Sequence, residues 1–187
     1  MIRLCSASES RASILDTFGV EYIQSAVNFD EESVQEKSPK SFVYSVVKGK
    51  LQKALEEFSL DTPILVADTV IEANGEILRK AKSVVDAREI LLKQSGNTTS
   101  IISALIYKSK YLEFIDISAT TYQFAKFESD DLENYLASNE WQGKAGACMV
   151  EGFCKKYIKS VIGLESNAMG LQVEKLLPWL NFNSEDE

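Results

Sequence analysis

Histidine is absent from all 187 residues. That excludes Ser-His and Cys-His nucleophilic catalysis and any imidazole-bound metal. A general base must come from Asp, Glu, Lys, Tyr or Cys. A metal, if used, must be held by oxygens, which suits magnesium or manganese. Cysteine is scarce: Cys5, Cys148 and Cys154 form an odd, scattered set rather than a disulfide framework, and each reads as structural. No apolar run is long enough to span a bilayer. The N-terminus shows one arginine followed by polar residues, unlike a secretory signal, so a cytoplasmic location is expected. The formal net charge of -8 argues against a nucleic-acid binder, which would carry a basic face. It leaves anionic small molecules open, because a local basic cluster or a bound cation reverses the local field.

What remains is ordinary for a globular protein: 45% hydrophobic and 26% charged residues, no repeats and no low-complexity linker. The length fits one domain, or two small lobes sharing a cleft. Ile2 to Cys5 reads as a strand, and Arg11 to Phe18 as a helix stopped at Gly19. "VEYIQSAV" reads as a second strand and "NFDEESVQEKSPK" as an acidic loop. Phe42 to Phe58 is an amphipathic helix, with Lys48, Lys50 and Lys53 expected off its apolar side. "TPILVAD" reads as a buried strand ending at Asp68, and Asn74-Gly75 as a hairpin turn. "SVVDAREILLKQSG" is a capped helix. Two strands, "TTSIISALIYKS" and "KYLEFIDISATTYQFA", turn at Lys108 to Lys110. A helix over "ESDDLENYLAS", a glycine-punctuated segment that turns β-like, and a loop with a closing helix complete the order. The acidic tail 181–187 is expected to fray. The order predicts an α/β protein with a central mixed sheet.

Five stretches could carry chemistry. "SASESR" lies at a strand-to-helix junction, where unpaired N–H groups and the helix dipole favour an anion and Arg11 could clamp phosphate. Its plain alternative is a helix N-cap with spare serines. Asp68 lies at the expected ligand-facing strand end, as metal ligand or base, or as a turn cap. Glu76 and Lys80 share one strand parity, which could bring Lys80 to a phosphate near Asp68 or leave it on a solvated face. Lys144 to Ala147 offers flexible backbone beside a cation, with Glu151 four residues after Ala147, or an ordinary loop. Asp30, Glu31 and Glu32 form either a solvated loop or part of an oxygen-rich metal site.

Taken in order, these stretches resemble the Maf family of nucleoside triphosphate pyrophosphatases. "SASESR" falls on the family's S-x-S-P-R-R, Phe29-Asp30-Glu31 on its F-D-E-like segment and "KGKLQKA" on its K-x-K-A-like pattern. Ala67-Asp68-Thr69 matches A-D-T, "GEILRKA" matches G-E-x-L-x-K-P, and "QSG" matches L-S-G. Lys144 to Ala147 matches K-A-G-A, and "SNAMGLQ" an S-x-x-M-G-L-P-like close. The resemblance covers nearly the whole chain. It implies a Maf/Ham1-like (inosine-triphosphatase-like) α/β fold with a deep cleft between two lobes of a single domain, residues 1–187. It implies hydrolysis of a nucleoside triphosphate, natural or modified, to the monophosphate and pyrophosphate, as house-cleaning of the nucleotide pool with a link to cell-division arrest. A divalent cation, magnesium or manganese, and often a homodimer are implied too.

By position, the resemblance assigns Asp68 as base or metal ligand and Glu31 as the metal-associated acid. Arg11, Lys50 and Lys80 become phosphate clamps. Ser6 and Ser8 belong to the phosphate loop, with Thr69, Lys144 and Glu151 as further substrate contacts. Four positions depart from the pattern: Glu9 for a proline, Ser10 for the first arginine, and Ala81 and Gln172 for two later prolines. Thr69 looks like the branch favouring dTTP and UTP, whereas Glu151 and the missing arginine look like the branch favouring 7-methyl-GTP. The alternative is a nucleotide-binding regulator of septum formation with little catalysis, motivated by Glu9 and Ser10.

Overall fold

The computed structural model describes residues 1–180, so the acidic tail 181–187 lies outside the described residues. Among the described residues seven strands form one mixed sheet: β1 (Ile2–Leu4), β2 (Tyr22–Gln24), β3 (Ile64–Ala73), β4 (Glu76–Leu78), β5 (Thr98–Lys108), β6 (Glu113–Phe124) and β7 (Ile158–Ile162). The order is β2-β1-β3-β5-β6-β7, with β4 paired to β3. The main helices are α1 (Glu9–Thr17), α2 (Pro39–Glu57), α3 (Val84–Gln94) and α4 (Ser129–Ser138), and α5 (Glu165–Ala168) and α6 (Val173–Leu176) are single turns. The mixed α/β architecture expected from the element order is therefore present.

The chain divides into two compact units. The first comprises Met1–Thr69, Ser103–Ser118 and the segment from Leu164 onward. Here β1 pairs in parallel with β2 and β3, through Ile2↔Tyr22 and Leu4↔Leu65. Parallel pairing needs a crossover connection, which α1 and α2 supply. Strand parity sorts the faces. Ile2, Leu4, Leu65 and Ala67 share a core with Ala12 and Leu15 of α1 and with Leu171, Val173 and Leu176. Arg3 alternates to the other face, where its guanidinium lies 4.3 Å from the Phe58 ring just beyond α2.

The second unit comprises Val70–Ile102 and Ala119–Gly163. The Asn74-Gly75 hairpin forms as expected, with φ of 55° and 79° at its centre and Ile71 opposite Leu78. An aromatic cluster of Phe127, Tyr135, Phe153 and Tyr157 packs the region around α4, with the Tyr135 and Phe153 rings stacked at 4.4 Å. Cys148 and Cys154 are buried and free, with their sulfurs 3.1 Å apart.

Several boundaries move. The first helix begins at Glu9, so Glu9, Ser10 and Arg11 form its first turn and not a loop. Glu9 is exposed at that end, where a carboxylate favours the helix dipole. The strand carrying Asp68 runs on to Ala73, so Asp68 is internal to β3. It nonetheless lies beyond the last residues that β1 pairs, Leu4↔Leu65. The acidic loop contains a 3-10 turn at Glu31–Ser33, and α2 starts at Pro39, behind the N-cap Ser38. Pro178 sits in a 3-10 turn, Leu177–Trp179, that breaks the expected closing helix into short pieces. Among the described residues no helix is long and apolar enough to cross a membrane.

Candidate functional site

The first unit gathers most of the residues singled out above. At the β1–α1 junction, Ser8 caps α1 by accepting from the Arg11 backbone N–H, so the plain N-cap reading holds for this serine. Ser6 is buried, and its Oγ accepts from the Ser8 N–H at 3.2 Å and from Arg11 Nη1 at 3.0 Å. The Arg11 side chain, half-buried, also donates from Nε to the Gly170 carbonyl at 2.9 Å and from Nη2 to Thr69 Oγ1 at 3.3 Å. The guanidinium is thus anchored in place before any ligand arrives.

Asp68 and Thr69 are consecutive on β3 and project to opposite faces. Thr69 continues the face of Leu65 and Ala67, which packs against α1, and so meets Arg11. Asp68 continues the face of Ile64 and Val66 and meets Lys50 of α2. Lys50 Nζ lies 2.7 Å from Asp68 Oδ1 and 2.7 Å from Glu31 Oε1. The Lys50 side chain is 12% exposed, that of Asp68 8% and that of Glu31 34%. Lys50 therefore does not fall off the apolar side of its helix. It stands in the buried stripe of Val43, Val46, Val47, Leu51 and Ala54, at offsets of seven, four and three from the valines. A lysine in register with an apolar stripe was the signal available in the sequence.

Burial pushes the Asp68 carboxyl above its ordinary range, against the opposing pull of Lys50 and Arg11 and with a further push from Glu31. A buried carboxylate of raised basicity, paired with Lys50, suits proton acceptance from water. Glu31 is presented by packing. The Phe29 ring lies against α2 where Gly49 has no side chain, and a Cβ there would sit 2.2 Å from a ring carbon. A glycine inside a helix, costly in isolation, is explained by this close approach.

Lys80, Lys144 and Glu151 belong to the second unit. β4 ends at Leu78, so the strand-parity argument does not reach Lys80, which is exposed; Glu76 instead pairs with Lys93. The Lys144–Ala147 segment is hydrogen-bonded at Gly146. Gly146 is buried with φ 56°, its N–H donates to the Arg79 carbonyl at 3.2 Å, and its own carbonyl accepts from Gln94 Nε2 at 2.7 Å. Those bonds hold the Lys144 segment beside the Arg79–Lys80 segment. Glu151 is exposed.

Sequence reasoning missed the residues behind Thr69. Ser103, fully buried in β5, lies 2.8 Å from Thr69 Oγ1 and donates to the Asn167 carbonyl at 2.8 Å. Gln172, one of the departures from the family pattern, donates to the Ser103 carbonyl at 3.1 Å and to Asp116 Oδ2 at 3.1 Å. It ties the Gly170 loop to β5 and β6. A hydroxyl inside the apolar run "SIISALIY" was the available clue.

The set fits a divalent cation by its donor chemistry. Two carboxylates converge on one positive group, and magnesium takes one or two carboxylates and fills its shell with water and substrate phosphates. Among the described residues no cluster of three or more acidic, cysteine or histidine side chains is placed to enclose a metal.

Comparison with known proteins gives the family of the chain. Residues 1–182 match the family described as Maf-like protein. A protein of a Nitratiruptor species named nucleoside triphosphate pyrophosphatase is 56% identical over 178 residues, covering 94% of this chain and 96% of its own. Proteins with the same name from Helicobacter pylori and Campylobacter jejuni subsp. doylei are 40% and 33% identical, covering 93% and 96% of this chain and 92% and 100% of their own. The chain belongs to the Maf-like protein family.

Proposed function

We propose that the protein is a nucleoside triphosphate pyrophosphatase: water attacks the α-phosphorus, the bond to the bridging oxygen breaks, and monophosphate and pyrophosphate leave. The names of its relatives support the activity. The observation that carries it is the Glu31–Lys50–Asp68 triad of charges, with anchored Arg11 held by Thr69, the next residue after Asp68. Asp68, made more basic by burial, accepts the proton of the attacking water. Arg11 and Lys50 face the charge that builds on the phosphate oxygens, and positioned cations of this kind supply most of the catalysis in phosphoryl transfer.

Asp68 and Glu31 would hold a divalent cation, magnesium or manganese, which when bound supplies Lewis-acid polarisation of the phosphate. Two carboxylates offset by Lys50 and Arg11 leave this group near neutral by itself, so a strongly anionic triphosphate calls for added positive charge. The test is pyrophosphate release from a panel of nucleoside triphosphates, with magnesium, with manganese and with chelator. Turnover on at least one nucleotide, lost with chelator, is expected. Folded protein inactive on every nucleotide refutes the activity, and turnover in chelator refutes the cation.

A further inference from the structure

We propose that Ser103 is a positioning residue for the reaction: it fixes the direction of the Thr69 hydroxyl, so that Thr69 holds Arg11 with its lone pairs. The inference rests on the activity proposed above. A serine hydroxyl has one proton, and a carbonyl only accepts. The 2.8 Å contact from Ser103 Oγ to the Asn167 carbonyl therefore uses the Ser103 proton. The 2.8 Å contact between Thr69 Oγ1 and Ser103 Oγ must then use the proton of Thr69. What Thr69 turns toward Arg11 is lone pairs, and Arg11 Nη2 donates to them at 3.3 Å. The bonds run one way, from Arg11 to Thr69 to Ser103 to the Asn167 carbonyl.

Two consequences follow. Thr69 has no proton to give a substrate phosphate, so it acts on substrate through Arg11 and not as a donor of its own. Arg11 has five N–H donors, of which Gly170 O, Ser6 Oγ and Thr69 Oγ1 take three. One N–H on each terminal nitrogen remains, among the described residues, for two oxygens of an anion. A donor-only guanidinium at one end and an acceptor-only carbonyl at the other keep the chain from reversing.

The experiment is a double-mutant cycle on kcat/KM with Ser103→Ala, Thr69→Val and the pair, plus Thr69→Ser as the conservative rescue. Ser103→Ala frees the Thr69 proton to turn toward Arg11, and about a tenfold fall in kcat/KM, carried mainly by KM, is expected. In the Thr69→Val background the same change is expected to cost less than about twofold, because the chain is already cut. Thr69→Ser is expected to retain activity within about threefold of the parent. Equal losses from Ser103→Ala in both backgrounds, or no loss at all, overturn the proposal. If Ser103→Ala fails to fold, Thr69→Val with Thr69→Ser decides: equal activities overturn it. If the parent releases no pyrophosphate from any nucleotide, the activity falls first. The cycle is then read by calorimetry with inorganic pyrophosphate, where non-additive affinity losses support the one-way chain and additive ones overturn it.

Discussion

Gly49 is the most informative position to perturb. Gly49→Ala places a Cβ 2.2, 2.3 and 2.9 Å from three carbons of the Phe29 ring. Ordinary carbon contact is about 3.5 Å, so the ring must retreat by about 1.3 Å. Two opposing terms then nearly cancel in stability. Alanine gains about 1 kcal/mol over glycine in a helix interior. Displacing the half-buried ring costs about 1 kcal/mol, roughly half the value of a fully buried phenylalanine. Urea denaturation should therefore place Gly49→Ala within about 1 kcal/mol of the parent. In a Phe29→Ala background the same substitution should stabilise by about 1 kcal/mol, a coupling visible in the cycle. Activity should not cancel. Glu31 is two residues from Phe29, and a misplacement near 1 Å at a reacting site costs up to about 100-fold. A fall in kcat/KM of tenfold or more is expected at near-constant stability. Equal stabilisation in both backgrounds, with activity unchanged, would refute the role of the ring in presenting Glu31.

Other substitutions probe the charges. Asp68→Asn should abolish turnover and raise the melting temperature of the substrate-free protein, because it removes a carboxylate that burial disfavours while Lys50 keeps Glu31; a lower melting temperature counts against that account. Because the folded-state value of Asp68 is raised above 3.8, its contribution to stability is complete below that pH and is lost as pH rises through the folded value. In the protein free of cation and substrate, the Asp68 carboxyl should accordingly titrate above the ordinary aspartate range, and a titration at or below it would contradict the burial argument. Gly170→Ala, at φ +107° with its Cβ 3.3 Å from Thr69 Oγ1 and 3.5 Å from Arg11 Nε, should cost about 1–2 kcal/mol and lower kcat/KM. Gly19→Ala, at φ +66° in open space, should cost a similar backbone strain and leave kcat/KM unchanged. Equal activities for the two would show that the Gly170 loop does not position Arg11.

The periodic elements were legible because their apolar patterns match the faces they bury. The hairpin at Asn74-Gly75 sits where turn chemistry places it, and α2 covers the expected segment with its start at Pro39 instead of Phe42. The extent of β3 was not legible. Asp68 is a polar residue that ends an apolar run, and only the sheet shows that the strand continues through it. The ordered motifs brought Arg11, Glu31, Lys50 and Asp68 to notice, but not that Lys50 is the hub between two carboxylates. That arrangement depends on long-range packing, as do Phe29 on Gly49 and Ser103 behind Thr69, so a local pattern marks the residue and not its partner. Glu9 and Ser10 looked like damage to a phosphate loop. The structure places both in the first turn of α1, beside Arg11, which donates to Ser6.

β3 carries one further implication, for how chains of this kind can diverge. Asp68 and Thr69 address different partners only because neighbouring residues of a strand face opposite ways. A substitution at either position changes one interaction. The gain or loss of one residue between Ile64 and Asp68 exchanges the two faces, turning the carboxylate toward Arg11 and the hydroxyl toward Lys50. In this stretch the number of residues is therefore constrained more tightly than their identity. Variation should enter as replacements that keep parity, and length changes should be confined to the turns on either side.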